Sequence, residues 1–310
     1  VGVSFFFILS GFIIAYNYQQ KLMERKVSKR QFWVARIARI YPLHIATLLG
    51  VAVIGNLLHP MGWWEGLKHF IPALFLLHPF VPRMDYFFYF GSPSWSLGCE
   101  QLFYLLFPFL ALLFYKKQRL VGVLLVCAVL VPTLMSLTDE ANIRGYWYVN
   151  PLARFPDFLV GMLLYRAYGW CRFKQLSFST ASLLEVGAVC IFLLFYMVSE
   201  DLVPKVYRYS CYYWIPISLV LLIFSLQKGF FSRILSNKYL VIGGDISYSF
   251  YLIHLWVILA YVEVAQTYDW HISLYISIPL IFAVTVALSL LSYYYFEKPA
   301  NRLVKRILNK

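Results

Sequence analysis

The chain has 310 residues, of which 61% are hydrophobic, 20% aromatic and only 13% charged. This composition excludes an ordinary soluble domain and predicts an all-α polytopic membrane protein, because repeated apolar runs are long enough to cross a bilayer as helices. The net charge of +13 would suggest nucleic-acid binding in a soluble protein. Here the basic residues lie in short loops between apolar runs, which indicates membrane topology, and no nucleic-acid partner is expected.

Nine apolar runs predict a bundle of about nine transmembrane helices in one membrane domain that covers residues 1–310. They lie at about residues 2–18, 38–58, 95–115, 119–137, 151–170, 181–199, 211–227, 243–263 and 273–296. A weaker run at about 67–82 contains prolines and histidines. That run favours a re-entrant or interfacial helix rather than a tenth crossing.

The basic residues also predict an orientation in the membrane. Most lysines and arginines follow the first, third, fifth, seventh and ninth runs, which places those loops and the C-terminus in the cytoplasm. Residue 1 then lies outside. A chain that starts outside with no signal peptide is expected to lack one upstream helix, so the full protein would have ten spans.

Glu100 is the first candidate functional residue, because an ionisable group within a membrane helix is costly and therefore rare. Helical spacing places it on one face with Ser96 and Tyr104. Trp95 marks the outer interface, so Glu100 is predicted to lie about 7 Å into the membrane. A carboxylate there suits proton transfer. Alternatively, it is a structural group paired with an arginine of a neighbouring helix.

The second candidate is the pair Arg36 and Arg39, which share a helix face at the inner end of the second span. Two guanidinium groups at that position suit the binding of phosphate. The alternative is that both arginines only satisfy the positive-inside rule.

Two further groups lie in the outer half of the predicted bundle. Ser247, Tyr251 and His254 share one face of the eighth span, where His254 is either functional or a core histidine bonded to a serine or tyrosine. Arg154 and Asp157 are spaced as an intrahelical ion pair in the fifth span, although Arg154 could instead pair with Glu100.

The remaining patterns predict no further chemistry. The other histidines (His44, His59, His69, His78 and His271) are expected in loops or near interfaces, without ligand spacing. The five cysteines form no CxxC or Cys–His pattern, so neither a disulfide nor a metal site is expected. The aromatic run at 293–299 is expected to form an interfacial belt that stops the last helix.

Six stretches, in the same order and over nearly the whole chain, together resemble the membrane-bound acyltransferase 3 family. They are GVSFFFILSGFII at 2–14, RIARIYPLH at 36–44, PSWSLGCEQLFYLLFP at 93–108, RFPDFLVGMLLY at 154–165, ISYSFYLIHLWV at 246–257 and YFEKPANR at 295–302. The resemblance implies ten helices. It also implies an enzyme of a bacterial inner membrane that moves an acyl group, usually acetyl, from cytoplasmic acyl-CoA to a hydroxyl of an extracytoplasmic glycan or sugar-bearing lipid.

The resemblance also assigns roles. Acyl-CoA is a co-substrate, no cofactor is bound, and the RxxR motif corresponds to Arg36 and Arg39. The family's Trp-Ser-Leu-x-x-Glu element corresponds to Trp95 to Glu100. Taken together with the helix faces described above, the expected catalytic residues are Glu100, His254 and Arg39, and the expected supporting residues are Trp95, Ser96, Tyr104, Arg154, Ser247 and Tyr251. The family's best known histidine lies shortly before the SGF motif and is expected upstream of Val1. Glu100 would activate or orient the acceptor, or hold that histidine.

Three other functions remain open from the sequence. A transporter or flippase for a lipid-linked glycan would use the same buried charges as a pathway, although the inverted repeat expected of it is not visible. A membrane scaffold would need none of these residues. The histidine–asparagine membrane-bound O-acyltransferases perform the same chemistry with a different residue pair. The acceptor, the acyl chain, a covalent or direct route and the oligomeric state are also open.

Overall fold

The structure is a computed structural model that describes residues 1–58, 62–81, 83–89, 93–114, 117–270 and 272–308. Two predicted boundaries, at residues 82 and 115, and two of the histidines, His59 and His271, lie outside these ranges. Within them the chain is helical, with no strand. The helices, numbered in chain order, are α1 Gly2–Met23, α2 Lys29–Leu58, α3 Trp63–Leu74, α4 Met84–Phe88, α5 Trp95–Leu113, α6 Lys117–Ser136, α7 Pro151–Cys171, α8 Phe178–Leu202, α9 Trp214–Ser225, α10 Phe230–Leu235, α11 Lys238–Thr267 and α12 Leu274–Leu308.

The structure confirms a polytopic helical membrane protein. Seven of the described helices, namely α1, α2, α5, α6, α8, α11 and α12, are long and apolar enough to cross a membrane. Of the other two predicted spans, α7 carries Arg154, Asp157 and Arg166, and α9 has only 12 residues. The count of nine spans therefore stays a prediction. Helix α3 also has 12 residues, too few to cross a bilayer.

Two helix boundaries differ from the expected ones in ways that bear on function. Helix α2 begins at Lys29 rather than near residue 38, so Arg36 and Arg39 lie inside a helix and not at its start. The prediction that the aromatic run stops the last helix is wrong. That helix passes through the run as a π-helical turn at Ser292–Glu297 and continues as Lys298–Leu308.

The described residues group into two compact units, each assembled from segments that are distant in sequence. Unit 1 contains Val1–Phe32, Pro79–Arg83 and Gly98–Asn237, and unit 2 contains Trp33–His78, Met84–Leu97 and Lys238–Lys310. The single functional domain over residues 1–310 stays a prediction.

Unit 1 is built around the contact between α1 and α7. Gly11 and Gly161 face each other there, so closely that a Cβ at Gly11 would collide with the Phe158 carbonyl and lie 3.2 Å from the Gly161 Cα. Small residues allow helix backbones to approach in this way in membranes, where dispersion contacts replace the hydrophobic effect as the driving force. Beside the contact, the Phe103 ring lies 5.2 Å from Phe7 and 4.9 Å from Phe158.

Unit 2 brings α2, α11 and α12 together through bonds to α2 carbonyls. Pro42 has no N–H, so the Ala38 carbonyl loses its helical donor. The side chain of Asn301 donates to that carbonyl at 3.0 Å. The Tyr248 hydroxyl donates to the Ile40 carbonyl nearby on α2, at 2.6 Å. A proline inside α2 thereby creates the acceptor that fixes the last turns of α12.

Candidate functional site

Glu297 forms the centre of a buried polar cluster in unit 2. Its carboxylate is almost fully buried and forms an ion pair with Arg39 of α2. Ser249 of α11 donates to its other oxygen at 2.6 Å. Three helices therefore meet at one carboxylate, and Arg39, with 37% of its side chain exposed, is the member that still reaches solvent.

The π-helical turn explains how Glu297 reaches this position. Such a turn adds a residue to the helix and rotates the side chains that follow it, and it often occurs at functional sites. The turn covers Ser292–Glu297 and ends at this carboxylate. Glu297 is not predictable as a site residue from the sequence, because an acidic residue after an aromatic run also fits an interfacial helix end.

A cavity of about 310 Å³ opens beside the cluster. Its lining carries five cationic side chains against one carboxylate. The lining residues are Ala35, Arg36, Arg39, Tyr293, Glu297, Lys298, Asn301, Arg302 and Lys305. Because Glu297 is held by Arg39 and Ser249, the cavity is strongly positive and suited to an anion that carries more than one charge. The predicted phosphate-binding pair, Arg36 and Arg39, lies in the wall of this cavity. The sequence did not predict that cations of the last helix would line the same cavity.

The Arg39–Glu297 pair gives a prediction of asymmetric effects. Arg39→Gln is expected to lower the free energy of unfolding of the detergent-solubilised protein by about 3 kcal/mol, because it leaves a buried carboxylate without its countercharge. Glu297→Gln is expected to cost less, since Arg39 reaches solvent. Thermal unfolding of the two single variants and the double variant measures the coupling. Equal losses in both single variants, with no recovery in the double, would contradict the asymmetry.

A second polar contact in unit 2 joins the start of α5 to α11. The hydroxyls of Ser96 and Tyr251 lie 2.8 Å apart, and Tyr251 also donates to the Pro93 carbonyl at 2.9 Å. Trp95 and Ser96 are buried beside this contact. The structure thus brings three of the predicted supporting residues, Trp95, Ser96 and Tyr251, into one place.

His254 lies one turn further along α11. Its Nδ1 is 2.7 Å from the Tyr251 carbonyl. A carbonyl only accepts, so Nδ1 carries the proton and Nε2 of the neutral ring keeps its lone pair. The ring is parallel to that of Phe250, with centroids 6.2 Å apart. This arrangement suits either a base or a structural histidine.

Ser247 is not part of this contact. It is exposed and donates to the Gly244 carbonyl of its own helix at 2.7 Å. Ser249, two residues further along α11, is the serine that donates to the buried carboxylate of Glu297. It lies on the opposite side of the helix from the predicted face.

Glu100 lies in unit 1 and is 5% exposed. Ser10 of α1 donates to its Oε1 at 3.1 Å and also lies 3.4 Å from the Tyr104 hydroxyl. Glu100 and Tyr104 therefore share a polar contact, as their spacing predicted. Ser10, the serine of the SGF motif, was not singled out in the sequence.

Arg154 and Asp157 form a fully buried ion pair in unit 1, at 3.3 Å. Arg154 also donates to Ser4 at 3.0 Å and to the Tyr209 carbonyl. Asp157 accepts from two further residues, Ser210 at 2.7 Å and Trp214 at 2.5 Å. The intrahelical pair is the interaction that the spacing predicted. Its partners tie α7 to α1, to the segment before α9 and to the first residue of α9.

Three of the other histidines, His44, His69 and His78, are buried inside the protein. Their expected position in loops or near the membrane interfaces stays a prediction. The ring of His44 bonds to the Ala73 carbonyl at 3.0 Å. Burial, with the neighbouring His44 as a smaller cause, lowers the pKa of His78 to about 4. His78 is therefore uncharged at neutral pH.

Comparison with known proteins identifies the class to which this fold and these polar clusters belong. The family model described as an acyltransferase domain matches residues 1–294. The chain therefore belongs to the acyltransferase 3 family, which confirms the resemblance, and it is a membrane-embedded enzyme of the O-acyltransferase class.

Three bacterial proteins illustrate what the chain is similar to. The chain is 28% identical to acyltransferase MdmB of Streptomyces mycarofaciens, over 83% of this chain and 68% of that protein. It is 28% identical to the putative peptidoglycan O-acetyltransferase YrhL of Bacillus subtilis, over 96% of this chain and 50% of that protein. It is also 28% identical to the peptidoglycan O-acetyltransferase OatA of Listeria monocytogenes, over 97% of this chain and 51% of that protein. The chain thus spans about half the length of the two peptidoglycan relatives, and no solved structure matches it.

Proposed function

We propose that the protein transfers an acyl group, acetyl in the first instance, from cytoplasmic acyl-CoA to a hydroxyl of an extracytoplasmic glycan or sugar-bearing lipid. The observation that supports acyl-CoA as the donor is the positively charged cavity in unit 2. Its cationic lining residues are Arg36, Arg39, Lys298, Arg302 and Lys305. Clustered guanidinium and ammonium groups suit the phosphates of CoA. The basic C-terminal helix and the positive-inside rule support a cytoplasmic position for that cavity in a bacterial inner membrane.

The class of acceptor is supported by the relatives. Two of them bear the name peptidoglycan O-acetyltransferase, which favours a cell-envelope glycan as the acceptor here. In the proposed reaction, by a direct or a covalent route, the carbon–sulfur bond of the thioester breaks and the acyl carbon forms an ester bond to the acceptor oxygen. The hydroxyl proton passes through a base to the departing CoA thiolate.

Glu100 is the proposed base, or the group that orients it. Its carboxylate is buried and accepts a hydrogen bond from the Ser10 hydroxyl. A buried carboxylate with a hydrogen-bonded hydroxyl can accept a proton from an acceptor or hold an imidazole in one tautomer. His254, with Nε2 as the basic nitrogen, is the second proposed catalytic residue. The predicted polar seam that would carry the acyl group from the arginines to Glu100 stays a prediction.

Glu100→Gln is expected to lower acyl transfer at least about 100-fold with normal protein yield, because general-base catalysis contributes about 10²–10⁴ in rate. The full-length protein is incubated in nanodiscs with radiolabelled acetyl-CoA and a cell-envelope glycan fraction. Release of CoA and transfer of label are both followed. Glu263→Gln is the control, since Glu263 is exposed on α11.

Unchanged transfer by Glu100→Gln would remove Glu100 from the chemistry. Movement of a lipid-linked glycan across the bilayer without any acyl donor, with acetyl-CoA neither bound nor consumed, would instead support the transporter function.

A further inference from the structure

The last turns of α12 have two different sides. Lys298, Arg302 and Lys305 follow an i, i+4, i+7 spacing and lie on one side, and all three line the cavity. Leu303 and Ile307 lie on the other side and are 58% and 59% exposed. The helix therefore directs its cations into the cavity, and it lies beyond the residues that the family model matches, which end at 294.

These cations are available to a ligand. Within the described residues, neither Arg302 nor Lys305 forms an ion pair with a carboxylate. Glu297, the acidic residue of the lining, is occupied by Arg39 and Ser249. The Lys298 ammonium lies 4.4 Å from the ring centroid of Tyr293, which orients it without cancelling its charge.

The position of the cations points to a ligand with two anionic centres. Arg36 and Arg39 stand on α2, whereas Lys298, Arg302 and Lys305 stand on α12. A thioester of phosphopantetheine carries one phosphate ester, which the α2 pair alone would satisfy. A CoA thioester extends that phosphate to a diphosphate and carries a separate phosphate on the ribose 3′ oxygen. This second anionic centre matches the second set of cations.

We infer that Lys298, Arg302 and Lys305 form the subsite for the ribose 3′-phosphate and make the enzyme selective for CoA thioesters over thioesters without that phosphate. This rests on the proposed function, because it deepens the identity of the donor. It assigns a specificity role to the last turns of α12, which lie beyond the residues that the family model matches.

The test compares acetyl-CoA with acetyl-3′-dephospho-CoA on the full-length protein in nanodiscs. Wild type is expected to have a KM at least about tenfold lower for acetyl-CoA, with similar kcat, because charge-assisted bonds to one phosphate are lost in the second donor. The double variant Arg302→Gln/Lys305→Gln is expected to raise the KM for acetyl-CoA to the dephospho value and to leave the dephospho value unchanged. Both residues are exposed, so these changes create no cavity.

Arg306→Gln is the matched control, because Arg306 is a cation of the same helix that does not line the cavity. It is expected to behave as wild type. An equal loss for both donors in the double variant, or equal KM values for both donors in wild type, would overturn the subsite.

Direct binding of the two donors, measured by calorimetry without an acceptor, separates this inference from the proposed function. If binding discriminates between the donors but no acyl transfer occurs, the subsite stands and the transfer reaction fails. If transfer proceeds at the same KM with either donor, the subsite fails and the reaction stands.

Discussion

Gly161→Ala is expected to prevent unit 1 from assembling, so that most of the protein is lost from the monodisperse fraction. A Cβ at Gly161 would collide with the Ile8 carbonyl and lie 2.7 Å from the Phe12 nitrogen and 2.9 Å from the Gly11 Cα. All of these atoms belong to the backbone of α1, which no rotamer change can move. Overpacking against flexible side chains costs about 1–3 kcal/mol of stability. Because the clash here is with backbone atoms, we expect Gly161→Ala to cost at least as much.

The experiment compares thermal stability and elution profile in mild detergent. Gly169→Ala is the matched control, because it lies on the same helix and a Cβ there meets nothing within 4 Å. Helix propensity alone predicts that alanine at either position is favourable by up to about 1 kcal/mol. A Gly161→Ala protein as stable as Gly169→Ala would show that α1 and α7 are not packed through this contact.

Asp157→Ala is expected to lower the free energy of unfolding by about 3–5 kcal/mol, since it leaves the Arg154 guanidinium buried without its countercharge. Both side chains of this pair are fully buried. Asp157→Asn is expected to cost less than alanine, because an amide oxygen can still accept from Ser210 and Trp214. Unfolding in detergent measures all three proteins.

The double variant Arg154→Met/Asp157→Leu separates the pair from its packing. Replacing both charges with apolar groups of similar volume is expected to recover much of the loss, because the desolvation cost disappears with the charges. Glu24→Ala serves as the control, since Glu24 pairs with Lys26 in solvent and is expected to change little. Asp157→Ala with wild-type stability would mean that the buried pair does not stabilise unit 1.

Much of the fold was predictable because each signal is local. The apolar runs predicted most of the long helices. The comparisons confirm the family that the six sequence motifs indicated. The ion pair of Arg154 and Asp157 was predictable from their i, i+3 spacing. The position of Glu100 and Tyr104 on one helix face was predictable from their i, i+4 spacing. Helix periodicity fixes such neighbours before any tertiary contact forms.

Other features of the candidate site could not be predicted this way. Glu297 is joined to Arg39 across 258 positions of the chain, and Ser10 to Glu100 across 90. A one-residue change of helical phase, as at the π-helical turn, is also invisible to a 3.6-residue period. Periodicity groups Ser247 with Tyr251 and His254, but it does not show which face of the helix meets a distant carboxylate. In the fold it is Ser249, on the opposite face, that donates to Glu297.

The sequence by itself therefore determined the class of polytopic helical membrane protein, the approximate places of its long apolar helices and the arginines of the RxxR motif, because hydrophobic length and local periodicity suffice for these. Only the tertiary structure decided that Glu297 is buried against Arg39 and that the last helix supplies cations to the same cavity. The physical reason is that burial and ion pairing depend on which distant helices meet. In unit 2 that meeting is fixed by single bonds, such as that of Asn301 to the carbonyl freed by Pro42.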